Sequence, residues 1–403
     1  MKAGWQTSTL GDVLAVIRNG VNCKQDKSGN GDRISRIESI SDATFDLDKV
    51  GYAELSEREK EKNRLHRGDI LFSHINSAIH VGKTAVFDCD EPVYHGVNLL
   101  LMRPKEVVTS AYLDHALKYL FQSGYWRGVC KQSVNQASVN QQDISRVEIR
   151  YPQSLAEQQR IVGLLDEAFE GLATAKSNAE KNLQNARALF ESHLQSVFAQ
   201  RGPGWVEKKL SALYKIGSSK RVLKSEWKTE GVPFYRGREV TRLAADGFVD
   251  NELFISEEHF ADLSKEYGVP EAGDIVITAI GTIGNAHVVR RSDRFYFKDA
   301  SVLWMKRTAD VSSEFIRFWL KSSLFLDQLD RGNGATVDTL TIQKLQSVEL
   351  RLPQLVEQKK IITELNALTQ ETQRLARLYE KKLAALESLK KSLLHQAFTG
   401  ELL

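Results

Sequence analysis

Two stretches of the chain carry apolar residues at a spacing typical of paired helices. From Ala156 to Ala199 there is no proline, and small or apolar residues recur in alternating steps of four and three. This heptad spacing predicts a long helix with a narrow seam that faces another helix. The first seam consists of Ile161, Leu165, Ala168, Leu172, Ala175 and Ala179.

A second seam follows 200 residues later with the same steps. It consists of Ile361, Leu365, Leu368, Thr372, Leu375 and Tyr379. Both seams then step by four, to Leu183 and Leu383, where a strict heptad would step by three, so the two helices share a local break. We expect helix pairing or partner contacts at Ile161, Leu165, Leu172, Ile361, Leu365 and Leu375.

A globular segment lies between the two helical stretches, so folding back would make the helices an antiparallel coiled coil. Each would span roughly 66 Å at about 1.5 Å per residue and could act as a spacer. The alternative is that each helix packs only on its own globular segment.

The segment before each long helix mixes short strands and helices. Residues 273–289 are rich in β-branched residues interrupted by Gly281 and Gly284, and two further strands are expected to close at Pro152 and Pro353. Amphipathic helices are predicted over residues 109–121 and 312–325. The fold class predicted from these elements is α+β.

The two halves of the chain match each other in order. Gly4-Trp5 recurs as Gly204-Trp205, and the run RGDILFS recurs as AGDIVIT. A colinear series of matches at a nearly constant offset indicates duplication. We therefore expect two tandem domains with approximate two-fold symmetry: globular residues 1–152, helix 153–201, globular residues 202–353 and helix 354–403.

Composition narrows the class of protein. Hydrophobic residues make up 42% of the 403 positions and charged residues 27%, without an apolar run near the roughly 20 residues of a membrane span. The N-terminal residues lack the apolar stretch of a signal peptide. Cys23, Cys89 and Cys130 have no CxxC spacing, which favours a reducing cytoplasm.

The familiar catalytic motifs are missing from the sequence. There is no complete phosphate-binding loop, since Ser77 replaces the first glycine in SAIHVGKT. There is also no dinucleotide-binding glycine motif, no HExxH, no GxSxG and no paired Cys/His spacing for zinc. The sequence therefore predicts neither a catalytic residue nor a metal ligand.

Charge is segregated along the chain. From Lys208 to Arg242 there are ten basic residues against three acidic ones, and from Asp246 to Asp274 nine acidic residues against one lysine. A basic segment with interleaved aromatic residues is suited to contact DNA phosphates. The alternative is a solvated face that balances the neighbouring acidic segment.

Base reading requires side chains that reach the groove edges, such as Arg for guanine and Asn or Gln for adenine. Polar loops at residues 73–83, 131–142, 278–285 and 331–340 are candidates. At an offset of 205, Asn76 and Ile79 stand where the second repeat has Gly281 and Gly284, so the two loops need not share a shape. The predicted DNA contacts are Arg36, Ser73, His74, Asn76, Lys83, Lys131, Asn135, Lys220, Arg221, Arg236, Arg238, Thr278, Thr282, Asn285, Asn333 and Thr336.

Several motifs together resemble the specificity subunit of type I restriction–modification systems over essentially the whole chain. The matching runs are YPQSLAEQQRIV (151–162), LPQLVEQKKII (352–362), GDIVITAIGTIGNAHVV (273–289) and HQAFTGEL (395–402). The resemblance implies two target recognition domains, each reading half of an asymmetric bipartite DNA site. It also implies that the two helices set the unread gap between the half-sites.

The same resemblance places the chemistry in partner subunits. Two modification subunits would bind S-adenosylmethionine and methylate adenine, and a restriction subunit that uses ATP and Mg²⁺ would join them. The chain itself would bind double-stranded DNA without a cofactor, as a non-catalytic subunit in the cytoplasm.

Two other functions stay open from the residues alone. A coiled-coil scaffold, or a DNA-binding protein outside restriction–modification, would also suit paired helices, and a flat salt dependence of DNA binding would favour the scaffold. A self-contained nuclease or modification enzyme would require metal-dependent cleavage or methyl transfer by the purified chain.

Overall fold

The computed structural model describes residues 4–133, 136–200, 204–329 and 339–402. The chain divides into two compact units, one of residues Met1–Glu180 with Lys381–Leu403 and the other of residues Lys181–Glu380. Both unit boundaries fall inside the long helices, so each unit contains part of both helices.

The first unit builds its globular part from short strands and helices. Its strands are β1 (Trp5–Thr9), β2 (Leu14–Asn19), β3 (Asp32–Ile34), β4 (Gly51–Ala53), β5 (Ile70–Phe72), β6 (Ile75–Asn76), β7 (Thr84–Val86), β8 (Leu100–Pro104), β9 (Lys131–Ser133), β10 (Gln136–Ser138) and β11 (Glu148–Pro152). Its helices are α1 (Leu10–Val13), α2 (Glu57–Asn63), α3 (Ser110–Gln122), α4 (Tyr125–Val129) and α5 (Gln141–Ser145), followed by the long α6 (Leu155–Ala199).

The second unit has a related set of elements. Its strands are β12 (Val206–Lys209), β13 (Tyr214–Gly217), β14 (Val232–Tyr235), β15 (Phe254–Ile255), β16 (Ile275–Thr278), β17 (Ala286–Val288), β18 (Tyr296–Phe297), β19 (Val302–Arg307) and β20 (Glu349–Leu352). Its helices are α7 (Gly237–Asp246), α8 (Glu257–Tyr267), α9 (Ser313–Trp319), α10 (Ser323–Leu329) and α11 (Ile342–Ser347), followed by the long α12 (Leu355–Thr399).

The same sheet topology occurs in both units. A four-stranded antiparallel sheet has the order β2-β8-β5-β7 in the first unit and β13-β19-β16-β17 in the second. In each unit a strand near the start pairs with the strand that precedes the long helix, as β1 with β11 and β12 with β20. The predicted α+β class and the tandem duplication are confirmed.

The helix predicted over residues 312–325 is broken in the structure. It forms α9 and α10, with a turn at Ser322 between them. Ser322 is buried, and both its amide and its hydroxyl donate to the Trp319 carbonyl, so a tighter turn bond replaces the helical ladder at this point. By contrast, α3 begins as predicted, because the Thr109 side chain accepts from the Tyr112 amide at the N-cap.

In the first unit, the start of α6 and the end of α12 share one core with the globular part. Ile161 and Leu165 are buried in the same cluster as Leu394 and Phe398. Farther along α6, Lys176 Nζ lies 2.8 Å from Glu387 Oε1. Because partners on α12 have lower numbers as numbers on α6 rise, the two segments are antiparallel.

The second unit contains the reciprocal segments. Ile361 and Leu365 at the start of α12 are buried with Phe198 near the end of α6, and Arg187 Nη2 lies 3.1 Å from Glu380 Oε1. Exposed ion pairs of this kind contribute only about 0–1 kcal/mol each, so the buried apolar residues provide most of the stabilisation. The predicted antiparallel pairing is therefore confirmed within each unit.

Burial varies among the seam residues nearer the middle of the helices. Leu172 and Leu375 are both partly exposed, in contrast to Leu165 and Leu365, which are fully buried. The smaller seam residues Ala179 and Thr372 are buried, so the seam continues beyond the globular parts.

A buried glutamine joins each long helix to its globular part. Gln158 Oε1 accepts from the Thr109 amide at 2.9 Å, and its Nε2 donates to the carbonyls of Val107 and Pro152. In the second unit, Gln358 Oε1 accepts from the Ser312 amide at 3.0 Å and its Nε2 donates to the Pro353 carbonyl. The first turn of each helix is thus fixed to the end of the preceding strand and to the start of another helix.

We predict that Gln158→Leu lowers the free energy of unfolding by about 2 kcal/mol, because it leaves buried backbone groups without partners. Urea denaturation of the full chain measures the change. Gln159→Leu is the matched control, since the next residue on α6 is exposed, and it should leave stability within about 0.5 kcal/mol of wild type. Equal effects of the two substitutions would contradict a special role for Gln158.

Candidate nucleic-acid interface

In the first unit, two of the predicted polar loops lie in one small sheet. Strand β10 pairs with β9 and with β6, and Ala137 is opposite Asn76 in the register. Lys131, Gln132, Ser133 and Gln136 of the β9–β10 hairpin are exposed. The structure therefore brings Asn76 next to the hairpin that carries Lys131.

In the loop that follows β5, most of the polar side chains hydrogen-bond to other groups of the same loop. Ser73 is buried, and its hydroxyl accepts from Asn76 Nδ2 at 3.2 Å. Asn76 Oδ1 accepts in turn from the Ser77 amide at 2.8 Å. In this structure both side chains shape the loop.

His74 is a buried neutral group. Its Nε2 lies 3.1 Å from Asn19 Nδ2, and desolvation lowers the pKa of His74 to about 4. At neutral pH this imidazole is therefore uncharged and cannot attract a phosphate as a cation would.

Two other predicted cations of the first unit are already engaged. Lys83 Nζ donates to the Ser41 carbonyl at 2.8 Å, and Lys83 lines a cavity of about 420 Å³ together with Lys118 and Lys390. Arg36 precedes a short 3₁₀ helix, and its guanidinium donates to the Glu38 carboxylate at 3.3 Å.

In the second unit, Lys220 and Arg221 lie on an exposed segment after β13. The backbone amide of Lys220 donates to the Tyr296 hydroxyl, and its Nζ lies 5.3 Å from the centre of the Tyr267 ring. Arg221 Nε donates to Asp299 Oδ2 at 2.8 Å.

A buried carboxylate organises Arg236 and Arg238. Glu239 in the first turn of α7 accepts from both arginines, at 2.8 Å from Arg236 Nη2 and 2.9 Å from Arg238 Nε. Arg238 also reaches Glu252 at 2.9 Å, within the acidic segment. Part of the basic segment is thus balanced by acidic side chains, as the alternative interpretation of the charge pattern anticipated.

The electrostatics of Glu239 follow from these bonds. Burial by itself raises the pKa of this carboxyl, but the hydrogen bonds from Arg236 and Arg238 outweigh burial and lower the pKa to about 2. The carboxylate is therefore ionised at neutral pH and holds both guanidinium groups in fixed positions.

The glycine loop between β16 and β17 is held by Thr278. The Thr278 hydroxyl accepts from the Asn285 amide at 3.0 Å, and Asn285 Nδ2 donates to the Thr241 hydroxyl at 3.1 Å. Thr278 is buried, while Thr282 at the tip is exposed. Of the three, Thr282 is the side chain most accessible to a ligand.

The corresponding loop of the first unit has the same base but a longer tip. The Gly82 amide donates to the Ser73 carbonyl at 2.8 Å, as the Gly284 amide donates to the Thr278 carbonyl at 3.1 Å. Both glycines have φ of +93° and lie against an aromatic ring, Trp126 or Phe325. The counterpart of Gly284 is therefore Gly82 rather than Ile79, because the first loop contains three additional residues.

Three predicted contacts, Asn135, Asn333 and Thr336, lie outside the described residues. Two polar residues that the sequence did not single out lie beside His74, namely Asn19 and Gln141, joined by a 2.6 Å hydrogen bond. Gln141 could have been found as a member of the polar stretch 131–142, whereas Asn19 had no signal of its own.

Over the residues that the structure describes, no group of three or more His, Cys, Asp or Glu side chains is placed to hold a metal ion. Within the same residues, none of the helices combines the length and apolar character needed to cross a membrane.

Comparison with known proteins identifies relatives over the whole chain. The family model described as the type I restriction modification DNA specificity domain matches twice, at residues 2–183 and 203–384. A protein named as the type I restriction enzyme MjaX specificity subunit of Methanocaldococcus jannaschii is 30% identical over 99% of this chain and 93% of its own length. The StySPI specificity subunit of Salmonella potsdam is 24% identical over 99% of this chain and 89% of its own.

Two solved structures share the fold. One, from work on the assembly and conformational transition of a type I R-M system, has a TM-score of 0.76 at 19% identity and covers 100% of this chain and 99% of its own. The HsdS subunit from Thermoanaerobacter tengcongensis has a TM-score of 0.61 at 18% identity and covers 100% of this chain and 98% of its own.

We predict that Glu239→Gln lowers the free energy of unfolding at pH 7 by about 1–3 kcal/mol. The pKa of Glu239 is lower in the folded chain than in the unfolded chain. Its contribution is therefore complete above about pH 4.5 and is lost as the pH falls through about 2. Urea denaturation across this range should show the difference between variant and wild type shrinking with acidification.

Glu252→Gln is the control for that experiment. Glu252 is exposed and contacts only Arg238 among these residues, so its loss should change stability by less than about 0.5 kcal/mol. A Glu239→Gln effect that stays constant down to pH 2 would be inconsistent with the charged bonds described above.

Proposed function

We propose that this chain, which belongs to the type I restriction modification DNA specificity family, recognises an asymmetric bipartite DNA site through its two repeats. As the specificity subunit it recognises DNA by sequence and is not itself the catalyst. The observation that carries the bipartite proposal is that the two units have the same backbone arrangement but different polar side chains in their loops. Both units share sheet order and loop hydrogen bonds, while His74 in one corresponds to Ala279 in the other.

The proposed division of labour follows the repeats. Residues 1–152 and 202–353 form the target recognition domains, and residues 153–201 and 354–403 form spacer helices that set the unread gap. The pairing of α6 and α12 segments within each unit supports the assignment of both helices to the spacer. Two different domains on a paired-helix frame suit two different half-sites on DNA, whose strands are related by two-fold symmetry.

Within the domains, the exposed cations are proposed to contact phosphates and the loop side chains to contact base edges. The residues proposed to contact phosphates are Lys131, Lys220 and Arg221. Arg36 and Lys83 would join them once their present hydrogen bonds rearrange. Arg236, Arg238, Asn76, Thr282 and Asn285 are the proposed base contacts of the described loops. Ser73, His74 and Thr278 are proposed to shape those loops, and Asn135, Asn333 and Thr336 complete the set of proposed contacts.

The chemistry would be supplied by partners. Two modification subunits with S-adenosylmethionine would methylate adenine in the recognised site, and a restriction subunit with ATP and Mg²⁺ would complete the assembly. The cytoplasm, where chromosomal DNA and these cofactors are available, is the proposed location.

Methylation mapping of genomic DNA tests this function. Cells with and without this gene, both expressing the neighbouring methyltransferase, should differ in adenine methylation at a single bipartite motif. An unchanged methylome, with the complex shown to be expressed, would contradict the proposal. DNA binding with a flat salt dependence would then favour a scaffold.

The spacer role makes a separate prediction. Deleting residues 172–178 from α6 together with 385–391 from α12 removes facing segments of the first unit, since Lys176 pairs with Glu387. Each helix shortens by about 10 Å, so the preferred gap should shorten by about three base pairs at about 3.4 Å each, or binding should be lost through altered rotation.

Selection of bound duplexes from a library of gap lengths measures the effect of the deletion. A seven-residue deletion in α6 alone is the control and should lose binding, because it breaks the pairing of the helices. An unchanged gap and affinity in the double deletion would contradict the spacer role.

A further inference from the structure

Three polar side chains from separate elements meet at one edge of the first unit. Asn19 ends β2, His74 follows β5 and Gln141 begins α5. Asn19 Nδ2 lies 3.1 Å from His74 Nε2, and Gln141 Nε2 donates to Asn19 Oδ1 at 2.6 Å. We call Asn19, His74 and Gln141 the amide cluster.

The direction of the hydrogen bonds is fixed by a backbone carbonyl. Asn19 Nδ2 also donates to the Val97 carbonyl at 3.2 Å, which identifies that atom as the nitrogen of the amide. His74 Nε2 must then accept from Asn19, so the imidazole is neutral and carries its proton on Nδ1. His74 is 6% exposed, so Asn19 is held by a buried partner.

Gln141 has hydrogen-bonding capacity left over. Its amide nitrogen carries two hydrogens, of which Asn19 takes one. Among the described residues, no protein group engages Gln141 Oε1 or the second N–H. One free acceptor and one free donor on a single planar amide match the N6 and N7 edge of adenine in the major groove.

The surroundings of Gln141 suit an approach by DNA. The exposed β9–β10 hairpin leads into α5, and residues 131–142 contain a lysine and no acidic residue. The next acidic side chain, Asp143, accepts from Asn140 Nδ2 at 2.6 Å within the helix N-cap. The side chain of Gln141 is half-buried, so it is both positioned and accessible.

The second unit keeps the frame of this cluster and changes its side chains. The Leu340 amide donates to the Ala279 carbonyl at 2.7 Å, as the Val139 amide donates to the His74 carbonyl at 2.9 Å. Helix α11 corresponds to α5 and begins with Ile342 where α5 begins with Gln141. A network required for folding would be expected in both units, whereas a base-reading group is expected to differ between them.

We propose that Gln141 reads an adenine in the half-site recognised by the first unit, and that Asn19, anchored by His74, is the positioning residue that presents it. This inference rests on the proposed function. It adds a base-reading residue and its base to that function.

The test compares base preferences of the full-length chain with its modification subunits, by methylation mapping in cells and by selection from randomised duplexes. Gln141→Ala should reduce discrimination for adenine at one position of one half-site by about ten- to a hundredfold and leave the other half-site unchanged. Gln141→Glu should lose the adenine preference as well, because a carboxylate can donate neither to Asn19 Oδ1 nor to N7 of adenine. Gln159→Ala is the control, since this exposed glutamine lies on α6 outside the candidate base-reading loops, and it should change no preference.

The Asn19→Ala variant shows whether Asn19 contacts the base itself or only positions Gln141. It should relax the same position as Gln141→Ala, and the double variant should be no more relaxed than Gln141→Ala alone, because Asn19 acts through Gln141. A structural role would instead lower affinity for all sequences equally.

Three outcomes would overturn the inference. The first is an unchanged motif for Gln141→Ala and Gln141→Glu. The second is a uniform loss of affinity without a changed base preference. The third is loss of all binding by both variants while thermal unfolding matches wild type. If the wild-type chain itself directs methylation to no bipartite motif, the proposed function fails, which is distinct from a wild-type motif that the Gln141 variants leave intact.

Discussion

The hydrogen bonds of one buried glutamine per repeat determine how each long helix leaves its globular part. Gln158 and Gln358 each accept a hydrogen bond from a backbone amide. Each also donates to a proline carbonyl, that of Pro152 at the end of β11 or that of Pro353 directly after β20. A side chain with both a donor and an acceptor can satisfy two kinds of buried backbone group at once, which an apolar residue of the same size cannot do. The direction of each long helix depends on these glutamine hydrogen bonds, and so does the set of core residues that the helix covers.

The two units share the same backbone hydrogen bonds in their corresponding loops but differ in the side chains that these loops carry. In each unit a glycine amide, that of Gly82 or Gly284, closes the loop by donating to a carbonyl at its base. The Val139 or Leu340 amide then donates to the carbonyl of the next residue along the loop. These bonds are made by the main chain, and apart from the two glycines that close the loops they place no requirement on the side chains at the loop tips. Sequence can therefore change at the loop tips without loss of the fold.

The features predicted from sequence were those with a local cause. The seams at Ile161 and Ile361 and the duplicated order of segments follow from periodicity and repetition, and both are confirmed. The features that were missed depend on contacts between distant residues. The counterpart of Gly284 was placed at Ile79 because a fixed offset cannot account for three inserted residues, and the bond from Gln141 to Asn19 joins positions 122 residues apart. The break between α9 and α10 was missed because the apolar pattern continues across Ser322.

The first unit is built from both ends of the sequence, and this determines the order in which the two units can fold during synthesis. Its core includes Tyr112 and Ile161 from the first half of the chain and Leu394 and Phe398 from the end of α12. During synthesis from the N-terminus, the second unit has all of its residues once Glu380 has been added. The first unit, although begun earlier, must wait with part of its apolar surface uncovered until the last helix leaves the ribosome. The domain that is translated first is thus the last to be completed.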